Sequence, residues 1–158
     1  MNERLPEGWI MRSFRIHEIK ENSLLTYNFQ SLGRMDINLS GKWERIKYNL
    51  TDPPNILLFD QVAFLSSLWV MGGYEFMRIL KGIDKKSQVK DAYELFRRVR
   101  VPMVKFESPK NKGKEAYPGD FGIARPSIGI HDKSLGWAVA QDTFISRDQL
   151  AQVLYNLY

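Results

Sequence analysis

Between residues 9 and 50 the apolar positions come in short bursts separated by polar groups. Met35, Ile37 and Leu39 alternate with Asp36 and Asn38, the period-two pattern of a half-buried strand. The apolar-rich segments 9–19 and 24–29 flank a polar tetrad at 20–23, and Ser40-Gly41 can turn the chain toward Trp43, Ile46, Tyr48 and Leu50. This pattern predicts an N-terminal antiparallel β-meander, with a bulge near Arg45 where the alternation weakens.

The pattern then changes. Thr51-Asp52-Pro53-Pro54 breaks it, and Asn55 stands before a long apolar run from Ile56 to about Leu80. The apolar side chains go nearly all the way round, so the run predicts a central buried helix rather than a membrane span. Ala63 and Phe64 are expected among its most buried residues, and Gly72-Gly73 is expected to kink or break it. Val89, Ala92, Phe96, Val99 and Met103 recur at helical spacing and predict a second helix, capped by Asp84 or Ser87 and ended or kinked near Val101 by Pro102. The two form a central helical hairpin. Residues 107–120 read as a long loop. The apolar segments 121–130 and 135–141 flank His131-Asp132-Lys133-Ser134 and predict a β-hairpin, with Pro126 placing its first strand at an edge. Ser146-Arg147-Asp148-Gln149 spells a capping box before a terminal amphipathic helix carrying Leu150, Val153, Leu154 and Leu157.

The expected fold class is therefore α+β. It comprises an N-terminal antiparallel β-meander, a central helical hairpin, and a C-terminal β-hairpin and helix, in one domain over 1–158. A chain of 158 residues can bury a substantial core, and 26% charged residues argue against bulk disorder. The chain has no cysteine and only two histidines, which excludes disulfide frameworks, thiolate metal sites and cysteine nucleophiles. No apolar leader precedes residue 9, and together with the missing cysteine this fits a cytoplasmic location.

Charge changes the picture more than composition does. The net charge is +5, yet residues 78–114 hold twelve basic and four acidic residues, a net of +8, while the remainder is −3. A segregated cationic segment attracts phosphate polymers. Lys86, Lys90, Arg97, Arg98 and Arg100 are the expected contacts to nucleic acid or another polyanion. The aromatic residues Trp9, Tyr27, Phe29, Trp43 and Tyr48 can either stack bases or fill the core, and strand spacing favours the core.

Catalytic patterns are sparse. No phosphate loop, dinucleotide fingerprint, nucleophile elbow or paired-histidine motif occurs, so no metal, cofactor or catalytic residue is assigned. One string, Pro6-Glu7 followed by Glu18-Ile19-Lys20, resembles the Pro-Asp/Glu…Asp/Glu-x-Lys pattern of restriction-type nucleases. That resemblance implies metal-dependent phosphodiester hydrolysis, with Glu7 and Glu18 on a divalent ion and Lys20 near the attacking water. Asp120, Arg125, His131 and Asp132 are a candidate polar pocket. The leading reading is a non-catalytic binding or interaction module with a basic helical surface. The alternatives are the nuclease and a homo-oligomeric interaction domain joined through Val153, Leu154, Leu157 and Tyr158.

Overall fold

A computed structural model describes residues 4–19, 21 and 23–158, Ser23 by its backbone only. Helices and strands are mixed, as expected, but the order differs at the N-terminus. The elements are helices α1 (Pro6–Ile19), α2 (Ser23–Ile46), α3 (Pro53–Ile83) and α4 (Ser87–Lys105), a small hairpin β1 (Lys110–Asn111) and β2 (Lys114–Glu115), strands β3 (Pro126–Ile128), β4 (Leu135–Ala140) and β5 (Thr143–Ser146), and helix α5 (Arg147–Tyr155).

The N-terminal β-meander is thus replaced by two helices. The physical reason lies in spacing over a longer window. Leu25, Phe29, Leu32, Asp36, Leu39, Trp43 and Ile46 are all buried and recur every three or four residues, the stripe of an amphipathic helix. In α1, Trp9, Ser13 and Ile16 do the same. The local alternation of Met35, Ile37 and Leu39 is the edge of that stripe, with a buried aspartate at its centre.

The central helical hairpin is present as α3 and α4. Consecutive helices pack on one another, and α5 closes against α4, α3 and the sheet. Gly72-Gly73 does not break α3, which is continuous over 31 residues. A Cβ on Gly73 would lie 2.4 Å from the ring of Phe96, so this glycine is what lets α4 approach. Likewise α4 does not stop at Val101 but runs through the buried Pro102 to Lys105. The proline lies within a turn of the helix end, where the lost N–H bond disturbs little else.

The C-terminal part follows the expectation more closely. Strands β3, β4 and β5 form an antiparallel sheet in that order, with β3 at the edge carrying Pro126. The turn before β4 is closed by Gly129 N–H donating to the Ser134 carbonyl and Ser134 N–H donating to Asp132 Oδ1. Ser146 caps α5, accepting from Gln149 N–H at 3.0 Å. One apolar cluster joins the helices and the sheet through Trp9, Phe29, Trp69, Phe96, Trp137 and Leu150. Leu154 and Leu157 belong to it, and Tyr158 packs against it, so the terminal helix turns its apolar face inward rather than toward a second copy.

Helix α3 departs from its expected burial. By length and composition it can cross a membrane, yet only 33% of its most apolar window is buried in the fold. Ala63 is buried, but Phe64 is 65% exposed and Leu57 74% exposed. Nearly circumferential apolarity has left one face of α3 without an intramolecular partner among the described residues.

Candidate functional site

The basic segment is organised by α4. Residues 107–120 are not a free loop: they fold back along the outer face of the helix and are fastened there at three points. Arg98 Nε donates to Asp120 Oδ2 at 2.7 Å and Arg98 Nη2 to Asp120 Oδ1 at 2.5 Å, a bidentate pair in which the carboxylate is buried. Arg97 Nη1 donates to Asn111 Oδ1 at 2.9 Å, and its Nη2 donates to the Lys110 carbonyl. Tyr117 OH donates to Glu94 Oε2 at 3.1 Å, and Arg97 Nη1 donates to the same oxygen at 2.9 Å. Burial alone would push the Glu94 carboxyl up. The hydrogen bonds from Arg97 and Tyr117 and the nearby charges of Arg97 and Lys81 outweigh it and hold the group below the ordinary range.

This arrangement divides the sequence-predicted contacts into two groups. Arg97 and Arg98 hold the segment in place, and their charge is spent on Glu94 and Asp120. Arg100 lies over the Tyr74 ring at 5.0 Å. Lys86 sits 3.6 Å from Asp84 and 5.0 Å over the ring of Tyr158. Only Lys90 of the five is exposed with no ion pair or hydrogen bond of its side chain among the described residues.

The clasp brings other cations forward. Asn111-Lys112-Gly113-Lys114 makes a two-residue hairpin turn with φ of 50° at Lys112 and 82° at Gly113, the doubly left-handed turn that glycine eases. Lys110, Lys112 and Lys114 are all exposed on it. At its root, Phe106 ends α4 in the left-handed conformation, φ 55°, with its ring 71% exposed. That is an unfavourable backbone state for an aromatic residue, and it turns the ring to solvent beside the exposed Lys105. Sequence reasoning counted Lys105, Lys112 and Lys114 in the basic segment without naming them as contacts, and it did not single out Phe106. The Asn-Lys-Gly-Lys turn was the available signal.

The remaining candidates do not converge. Asp120 is paired beside Ala140 at the end of β4, while His131 and Asp132 lie in the turn feeding the other end, about 16 Å away by strand rise. Arg125 is exposed just before β3. The polar pocket is therefore not formed. Glu7 and Glu18 stand eleven residues apart on one helix, about 16 Å along its axis, too far to share a cation bound at about 2.0–2.6 Å. Lys20 lies outside the described residues. Among the described residues no three metal-ligating side chains cluster. Of the aromatic set, Trp9, Phe29 and Trp43 are core, while Tyr27 and Tyr48 are exposed on α2 and just beyond it.

A second feature had no sequence signal. A cleft of about 660 Å³ lies between α2, the start of α1, the β3–β4 turn and α5. At its floor the Asp36 carboxylate, 1% exposed, accepts from Arg4 Nε at 2.9 Å and from Arg147 Nη1, with Arg147 buried and Arg4 half-buried. Arg147 Nη2 donates to Ser40 Oγ at 2.6 Å, and Arg4 Nη2 reaches Asp148 at 2.6 Å. The four cations lining the cleft, Arg4, Lys47, Lys133 and Arg147, face four carboxylates, Asp36, Glu44, Asp132 and Asp148. The charge balances within the protein, and the cluster cross-links the N-terminal segment, α2 and α5.

Comparison with protein-family models, with characterised proteins and with solved structures finds no match for this chain.

Proposed function

We propose that the protein is a non-catalytic module that binds single-stranded nucleic acid along the outer edge of α4 and the β1–β2 hairpin. The observation that carries this reading is the clasp. Glu94, Arg97 and Arg98 fix a lysine-bearing hairpin next to an outward-turned phenylalanine, so charge and a stacking surface are preorganised together. Lys90, Lys105, Lys112 and Lys114 are exposed cations with no ion pair among the described residues, available to phosphates. Phe106 offers a face on which any base can stack, which suits single strands better than a duplex.

Neutralising about four phosphates of a single strand gives a log–log salt slope of about −3. A fluorescent oligothymidylate titrated at two salt concentrations measures it. Lys112→Glu with Lys114→Glu should weaken binding at least tenfold without altering the thermal midpoint, because both side chains are exposed. Phe106→Ala should weaken oligothymidylate binding about tenfold and leave binding of inorganic polyphosphate unchanged. No binding at low salt, or binding indifferent to the hairpin charges, overturns the reading.

A further inference from the structure

We propose that the unpartnered face of α3 is an interface for a second copy of this chain, paired antiparallel about a two-fold axis level with Leu68. At about 100° per residue, Leu57, Gln61, Phe64, Leu68, Gly72, Glu75 and Ile79 lie within about 40° of one line down the helix. Leu57, Phe64, Leu68 and Ile79 on that line are exposed. An isologous contact must complement itself: whatever protrudes at one position must meet a recess at the position the axis places level with it.

The sequence of α3 meets this condition twice. Under the two-fold, Phe64 stands level with position 72 of the second copy and enters the gap bounded by Leu68, Met71, Gly72 and Glu75. Leu57 stands level with position 79 and enters the gap bounded by Glu75, Arg78, Ile79 and Gly82. Each gap contains a glycine. Neither glycine is required by the protein's own interior. A Cβ on Gly72 would meet only Leu32 Cδ2 at 3.5 Å, an ordinary contact, and a Cβ on Gly82 would meet nothing within 4 Å. Gly73, by contrast, is filled by Phe96 from within. Glycine weakens a helix, so the recesses at 72 and 82 are a cost with no return inside the monomer.

The polar groups complement in the same register. Asp60 and Arg78 lie on the same flank of the stripe, and the two-fold brings Asp60 of one copy within about 3 Å, along the axis, of Arg78 of the other. Among the described residues Arg78 holds only the exposed Glu75, at 2.7 Å. Gln61 comes level with Glu75, so its amide can donate to that carboxylate. A lipid surface would leave the Gln61 amide without a partner and bury the Glu75 charge in the middle of the apolar line, which favours a second copy as the occupant.

The test uses the full chain without nucleic acid, so its outcome is independent of the proposed binding edge. Sedimentation over a concentration series should give a mass approaching twice 18.5 kDa. Phe64→Glu should shift the dissociation constant at least a hundredfold with an unchanged far-UV spectrum. Gly72→Leu should also weaken the dimer at least tenfold while the monomer's thermal midpoint holds or rises, a separation that a folding defect would not produce. Asp60→Arg and Arg78→Asp should each weaken association, and the two together should restore it. The chain has no cysteine, so single cysteines can be placed cleanly. Leu68→Cys should cross-link to itself with a short bis-thiol reagent, and Leu57→Cys should not. A monomer at high concentration, self-cross-linking at position 57, or flotation of the wild type with anionic vesicles in place of dimerisation overturns the proposal.

Discussion

Arg147, in the first turn of α5, donates to Asp36 in the middle of α2, and both side chains are buried. The two residues are 111 positions apart. With Arg4 on the other carboxylate oxygen, the cluster ties the segment before α1 and the first turn of α5 to the middle of α2. Removing the carboxylate leaves the buried Arg147 guanidinium without a counter-charge and Arg4 with only the exposed Asp148. Asp36→Ala is therefore expected to lose about 3–5 kcal/mol in urea denaturation. Asp148→Ala, which removes the exposed partner of Arg4, should lose less than about 1 kcal/mol. Equal losses would show that Asp36 is not the hub of the cluster.

The same aspartate explains why the N-terminal half was misread from sequence. A charged residue at the centre of an apolar stripe interrupts the helical period, and its neighbours Met35 and Ile37 then mimic a strand. What permits the burial is Arg147, which no local window contains. The features that were legible are those set by nearby residues: the Ser146 cap, the Asp132–Ser134 turn, Pro126 on an edge strand, and the apolar face of α4. Burial of Phe64 was not legible, because an all-round apolar helix does not say which of its faces the rest of the chain will cover. The division of cations was hidden for a related reason. Arg97 and Arg98 look like surface charge until residues 107–120 fold back to meet them.

The clasp on α4 predicts a local effect distinct from global unfolding. Arg97→Ala removes the hydrogen bonds to Asn111 and the Lys110 carbonyl and should free the hairpin end of the segment. Trypsin cleavage at Lys110, Lys112 or Lys114 should accelerate several-fold, while overall stability falls by about 1–3 kcal/mol. If cleavage there is unchanged, Arg97 is not what holds the hairpin against α4.

Two tyrosines should report on the same region at high pH. Burial, then the charge of Glu94, pushes the Tyr117 phenol up to about 12. Burial, then its hydrogen bond with Tyr74, pushes Tyr93 up to about 12. A folded-state pKa above the unfolded value of about 10 means the contribution is complete below pH 10 and is lost as pH rises from 10 toward 12. Absorbance at 295 nm should show a late-ionising fraction of the seven tyrosines. Tyr117→Phe should remove part of that fraction, and a single transition near 10 in the wild type would contradict the buried placement.

At the acid end the sign reverses, and the informative pair is Tyr158 and Asp84. Tyr158 OH donates to Asp84 Oδ2 at 2.6 Å, fastening the C-terminus to the link between α3 and α4. That hydrogen bond, with the Lys86 backbone N–H and charge, holds the Asp84 carboxyl below its ordinary value against the opposing effect of burial. A depressed carboxyl stabilises the fold above its unfolded pKa of about 3.9, and the contribution disappears as pH falls through the lower folded value. Tyr158→Phe keeps the ring in the core but lets the carboxyl rise toward the ordinary range. The variant should be less stable than wild type at neutral pH, by about 1.5–3 kcal/mol for a hydrogen bond to a charged group of this kind. Because the protonated carboxyl no longer distinguishes the two proteins, their denaturation midpoints should converge below about pH 3. A difference that persists undiminished into acid would assign the loss to packing of the terminal residue rather than to its bond with Asp84.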